Sequence, residues 1–200
     1  DDTLLCGDCA RMLRPSVRRR VLASGLVVHA GIPFDGVAAR VLRALKEQGR
    51  TGLARSLAPA LAAALAAAAD APDAPSAGEG WTVVPVPTSR ASMRRRGFRV
   101  VELIAGRAGV RVTPLLRNVR QTSDQRGLDV AARERNVAAS MRARVATGLS
   151  VILVDDVVTT GATLREAERA LRAAGAARVV AATVAATPRV QASSGPASAP

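Results

Sequence analysis

Aromatic side chains are nearly missing from this 200-residue chain. Trp81, Phe34 and Phe98 stand alone, tyrosine is absent, and the aromatic share is 2%. Single-stranded nucleic-acid grooves stack bases on aromatic rings, so a stacking groove is not expected. Lysine is as scarce: of 29 basic residues, only Lys46 is one. The two cysteines, Cys6 and Cys9, are too few for a disulfide framework. No secretory signal is recognisable. The most apolar run, residues 57–69, is mostly alanine, lies between Arg55 and Asp70, and is too short to cross a bilayer. The expectation is a soluble, cytoplasmic protein without membrane insertion.

Against these absences stand a hydrophobic share of 48%, a charged share of 22% and a net charge of +13. The first two suit one ordinary domain with a packed core. The third favours anionic partners such as nucleotides, phosphorylated sugars or nucleic acid. Arginine suits phosphate better than lysine does, because its planar fork donates in pairs. An alanine- and arginine-rich composition also follows from a GC-rich genome, so charge alone names no partner.

Periodicity gives a coarse map. Val37, Val41, Leu42 and Leu45 share one face of a helix over 36–48, ended by Gly49 and Gly52. Residues 53–69 read as a second helix, from the strong propensity of alanine and leucine. Residues 70–80 form a Pro/Gly/Ser/acid loop. WTVVPVP, 81–87, is a strand closed by Pro85 and Pro87. A basic loop over 88–97, a helix over 100–108 and a short strand over 110–113 follow. Residues 117–135 read mostly as loop. Residues 151–154 form a buried strand, 163–174 a helix closed by Gly175, and 178–187 a last strand. The alternation predicts an α/β fold with a mostly parallel sheet flanked by helices. Residues 1–20 form a small N-terminal segment with a C-x-x-C pair, 21–187 the main domain, and 188–200 a disordered tail.

The most informative string is VILVDDVVTTGATL, residues 151–164. Its apolar start fits a parallel strand buried on both faces. That strand delivers Asp155 and Asp156 to its carboxyl end, where open α/β sheets bind ligands. Residues 157–163 make a hydroxyl-rich loop in which Gly161 permits close backbone approach. The following helix turns its free N–H groups to that loop, a phosphate site to which Thr159, Thr160 and Thr163 add hydroxyls. Carboxylates beside such a cradle repel a bare anion. They fit a sugar whose hydroxyls they accept, or Mg²⁺. Upstream, the strand 81–87 presents Arg90, Arg94, Arg95 and Arg96 within seven positions, suited to a diphosphate.

CGDC, Cys6 to Cys9, has the spacing of zinc knuckles but supplies two of the four ligands a structural zinc takes. His29 is a candidate third. Arg18, Arg19 and Arg20 form a basic cluster compatible with phosphate-backbone binding.

VILVDDVVTTGAT resembles the phosphoribosyl pyrophosphate (PRPP) signature of type I phosphoribosyltransferases. The resemblance implies that Asp155 and Asp156 hold the ribose as the catalytic pair. It implies that Thr159, Thr160, Gly161, Ala162 and Thr163 surround the 5′-phosphate. VPVP followed by the arginines and RGF is similar to the competence protein F (ComF) branch of that family, as are LKEQGR at 45–50, RNVRQTSDQRGL and RERNV. On that similarity Arg117, Arg120, Thr122, Gln125, Arg133 and Asn136 belong to a flexible loop that closes over the site. Resemblance to the branch implies zinc at Cys6 and Cys9 and a connection to DNA uptake with single-stranded DNA or competence proteins as partners. The acidic pair beside the phosphate cradle points to Mg²⁺ as cofactor, and a homodimer is expected because parallel-sheet domains of this size often pair.

Overall fold

The structure, a computed structural model, describes residues 5–70, 80–119 and 139–188. In chain order the elements are α1 (Gly7–Met12), β1 (Arg18–Val21), β2 (Val27–Pro33), α2 (Gly36–Gln48), a 3₁₀ turn (Thr51–Leu53), α3 (Ala54–Ala69) and β3 (Trp81–Pro85). Then come α4 (Arg90–Arg96), α5 (Val100–Arg107), β4 (Leu116–Asn118), β5 (Met141–Ala143), β6 (Ser150–Val158), α6 (Ala162–Ala173) and β7 (Arg178–Ala186). Five strands form one sheet in the order β1-β2-β7-β6-β3. The pairs β2–β7, β7–β6 and β6–β3 are parallel, and β1 is an antiparallel edge. Strands β4 and β5 form a separate antiparallel pair.

The parallel sheet follows from its sequences. Central strands covered on both faces are continuously apolar, and Val151, Ile152, Leu153 and Val154 are all buried. Alternation sends Ile152 and Val154 to the layer of α2, α3 and α5, and Val151 and Leu153 to the layer of α6. On the first side Leu45, Leu57 and Leu61 are fully buried, each worth about 1.5–3 kcal/mol of transfer free energy. The stripe Ala60, Ala64 and Ala68, all at 0% exposure, lets α3 sit low on the sheet. At Gly31 the approach is so close that a Cβ would lie 2.0 Å from the Ala60 carbonyl oxygen.

The sequence expectations of an α/β, mostly parallel architecture and of the helices over 36–48, 53–69, 100–108 and 163–174 hold, to within a residue or two at the ends. Several others are corrected. The basic stretch after β3 is not a loop but α4. Ser89 caps it, its Oγ accepting from the Ser92 N–H at 3.1 Å, and arginine, alanine and methionine are good helix formers. Residues 110–113 form no strand; one bond, from the Thr113 N–H to the Val83 carbonyl, ties them to β3. Strand β6 does not stop at Val154 but runs through both aspartates to Val158. The boundary drawn at residues 20 and 21 falls inside β1, so the N-terminal segment is continuous with the sheet. The span Thr51–Ala69 has 19 residues and a mean hydropathy of 1.4, long and apolar enough to cross a membrane by composition; here its apolar stripe packs on the sheet. The tail from residue 189 and the stretch 120–138 lie outside the described residues.

Candidate functional site

Two neighbouring parallel strands, β6 and β3, end at one edge of the sheet, and their continuations build the site. Strand β6 carries Asp155 and Asp156, both partly exposed, in its second half. The side chain of Asp155 turns back to accept the Asp156 N–H at 2.8 Å. That of Asp156 meets Lys46, from the last turn of α2, with Nζ 2.7 Å from Oδ1. Burial, and then the charge of Asp156, push the Asp155 carboxyl up to about 7, against the opposing pull of Lys46 and of the Asp156 N–H. Two carboxylates on consecutive residues thus differ in kind: one is ion-paired, the other holds its proton readily.

After β6 the chain makes a short turn, 159–161, and enters α6. Gly161 stands at the helix start with φ +80°, a conformation that side-chain-bearing residues avoid. A Cβ there would also lie 2.5 Å from Leu22 Cδ1. Thr160 Oγ1 accepts the Ala162 N–H at 3.3 Å. Thr159 is exposed, and Thr160 and Thr163 are half-buried. The first N–H groups of α6 and its positive dipole end face this turn. Arg20 steadies it from β1, its guanidinium donating to the Thr159 carbonyl at 2.8 Å. The sequence reading placed Arg20 in a basic cluster and missed this contact. The β1–β2 hairpin carries Arg20 and Leu22 to the turn.

The third component follows β3. Because the arginines are on a helix, they do not share one face: Arg90 and Arg94 lie four residues apart, on one side, while Arg95 and Arg96 are rotated away. Arg96 donates through Nε to the Lys46 carbonyl at 3.0 Å. Arg90 lines a cleft of about 260 Å³ with Arg99, Glu102, Arg117 and Asn118. Asn118 fixes the wall by donating to the carbonyls of Pro87 and Thr88. The structure therefore brings Arg117 to Arg90, and Arg96 to the acidic pair through Lys46. Arg120, Thr122, Gln125, Arg133 and Asn136 lie outside the described residues.

A profile of the phosphoribosyl transferase domain matches residues 91–194, more than half of the chain. The chain belongs to the phosphoribosyl transferase domain family. It is also 30% identical over 102 residues to competence protein F of Haemophilus influenzae, covering 46% of this chain and 44% of that protein. It thus spans less than half the length of that relative, and the similarity agrees with the branch resemblance noted in the sequence. Among solved structures, glutamine phosphoribosylpyrophosphate amidotransferase from B. subtilis is 26% identical, with a TM-score of 0.37, over 69% of this chain and 26% of that one. Hypoxanthine phosphoribosyl transferase from Trypanosoma cruzi is 15% identical, with a TM-score of 0.39, over 70% of this chain and 76% of that one.

The phosphoribosyl transferase match begins beyond the cysteines. Cys6 caps α1 and Cys9 lies inside it. Hydrogen bonds from the backbone and thiol of Cys9 lower the Cys6 pKa, and the same thiol contact raises that of Cys9. Among the described residues no three His, Cys, Asp or Glu side chains group as a metal site. His29 is buried within β2. Cys9 also lines a cleft with Arg40, Arg43 and Arg50, a cationic setting that opposes a metal ion. The described residues around Cys6 and Cys9 do not supply the four donors of a structural zinc.

Proposed function

We propose that the site binds PRPP and transfers its phosphoribosyl group to a nucleophilic acceptor. One observation supports the reading above the rest: the consecutive carboxylates of Asp155 and Asp156 lie near the end of β6, two residues before the Thr159–Thr160–Gly161 turn that leads into the N-terminus of α6. Carboxylates accept sugar hydroxyls, and free backbone N–H groups take a phosphate. A ligand with a terminal phosphate and vicinal hydroxyls uses both at once.

In this reading the Thr159 to Thr163 stretch, with Gly161 and Ala162, takes the 5′-phosphate. Asp155 and Asp156 fix the ribose hydroxyls. Arg90 and Arg94 face the diphosphate, joined by Arg95 and Arg96 at the flank of α4. The bond between C1 and the diphosphate oxygen breaks as the acceptor bonds to C1. Positive charge grows on the sugar, and preorganised carboxylates and guanidiniums stabilise it and the departing anion. The donor set fits Mg²⁺, which favours one or two carboxylates together with substrate phosphates; Asp155 and Asp156 would hold it, and when bound it would neutralise diphosphate charge. Arg117, which lines the cleft with Arg90, would add a further guanidinium to the diphosphate side.

Calorimetry of PRPP with Mg²⁺ tests the reading. The wild type is expected to bind, and Asp155→Asn with Asp156→Asn to lose binding by at least ~100-fold, the cost of leaving paired hydroxyls without acceptors. Equal binding by both proteins rejects the site. Release of diphosphate on addition of a nucleobase or amine identifies the acceptor.

A second reading has its own observation. Arg18 and Arg19 are exposed on the free edge of the sheet, and the Haemophilus relative bears the name competence protein F. A single-stranded DNA-binding accessory role in DNA uptake would use that edge. Oligonucleotide anisotropy falling steeply with salt, and lost in Arg18→Ala with Arg19→Ala, would favour it.

A further inference from the structure

Lys46 is the only lysine among 29 basic residues; the others are arginine. It leaves the last turn of α2 beside the C-terminal edge of the sheet. Its ammonium meets Asp156 at 2.7 Å, with the two side chains 24% and 16% exposed. Its backbone carbonyl accepts from Arg96 of α4 at 3.0 Å. One residue therefore touches both halves of the site, the acidic pair through its side chain and the arginine helix through its main chain. An ammonium on a four-carbon stem is a mobile point charge, whereas a guanidinium forks onto a carboxylate and stays.

We propose that Lys46 is a ligand-displaced latch: its ammonium holds the Asp156 carboxylate until ribose hydroxyls take its place, then re-seats on the diphosphate beside Arg96. The inference rests on the phosphoribosyl reading of the site and adds to it an exchange of partners. Lys46 Nζ occupies one approach to Asp156 Oδ1, so a sugar hydroxyl reaching that oxygen from the same side displaces the ammonium. The displaced charge has a second anion within reach, because the carbonyl bond from Arg96 keeps α2 and α4 adjacent. The latch thus favours a sugar phosphate that also carries a diphosphate over one that does not. Ribose 5-phosphate must displace the ammonium with no anion to receive it.

A sole lysine makes the test direct. Acetylation of the ε-amine, followed by mass spectrometry of the intact chain and its peptides, reads one site apart from the N-terminus. Asp156→Asn is expected to raise the Lys46 acetylation rate on the order of fivefold, as loss of a partly buried ion partner frees the amine. Ribose 5-phosphate is expected to raise it similarly in the wild type, and further addition of inorganic diphosphate to bring it back down. Lys46→Met is expected to bind ribose 5-phosphate more tightly than the wild type and PRPP more weakly, a split that a purely structural role does not produce. Ribose 5-phosphate that binds by calorimetry while leaving acetylation unchanged overturns the latch and leaves the phosphoribosyl reading intact. Failure of ribose 5-phosphate and PRPP to bind at all overturns that reading, and the latch with it.

Discussion

Leu22 fills the space that a side chain on Gly161 would need. Both its methyl carbons lie within 2.8 Å of the position a Cβ would take, and the backbone there has φ +80°. The turn that leads into α6 is therefore shaped from two sides, by its own dihedral and by the β1–β2 hairpin packed against it. Gly161→Ala is expected to cost about 1–3 kcal/mol from backbone strain alone, with a further loss as Leu22 is pushed aside. Urea unfolding of Gly161→Ala, Leu22→Ala and the double variant separates the two. The steric part should vanish in the double variant, and the strain should remain.

Gly31 answers to a different constraint. The Ala60 carbonyl oxygen sits 2.0 Å from where its Cβ would be, and a helix backbone does not yield as a flexible side chain does. Gly31→Ala is expected to cost about 3 kcal/mol or more, as α3 lifts from β2. Gly80→Ala, with nothing within 4 Å of its Cβ position, serves as the control and should change stability by no more than ~0.5 kcal/mol.

Asp155 predicts how stability varies with pH. In the fold its carboxyl keeps a proton up to about 7, against an ordinary value of 3.8. The folded state therefore binds more protons than the unfolded chain between these values. The stabilisation is complete below the ordinary value and is lost as pH rises through the folded one. Asp155→Asn has no such loss. Its melting temperature relative to the wild type should climb by a few degrees between about pH 4 and 8. A constant difference across that range would contradict the assignment.

Glu166 predicts the opposite slope. Burial works to raise its pKa, but the Arg169 fork and the Met141 N–H outweigh it and the net shift is downward. Its contribution is present above the ordinary carboxylate pKa and is lost as pH falls through the lowered one. Arg169 donates to both oxygens of Glu166 and also to the Met141 carbonyl. Arg169→Met is expected to cost about 1–2 kcal/mol at neutral pH, discounted for a half-exposed guanidinium, and to move the acid-unfolding midpoint upward.

The α/β class and the acidic pair could be read from residues alone because each rests on local pattern. A continuous apolar run ending in Asp155 and Asp156, followed by hydroxyls, glycine and a helix, has few structural meanings. Helix α4 was misjudged for a reason of the same kind. Four arginines in seven residues look like a solvated loop, and the Ser89 cap that turns them into a helix is a single atom's contact. Lys46 and Arg20 were invisible as site residues because their partners, Asp156 and the Thr159 carbonyl, are more than a hundred residues away in the chain. Strand β2 went unnoticed because VVHAGIP mixes a histidine, a glycine and a proline into an apolar run, and only pairing with β7 makes it central.

Strand β1 is an edge of the sheet, where a second chain could extend the ladder. Its exposed residues Arg18 and Arg19 stand in that approach. Two copies meeting edge to edge would press guanidiniums against guanidiniums, with no acidic residue on the strand to offset them. The charge that draws anions to the molecule also keeps its sheets from growing into one another.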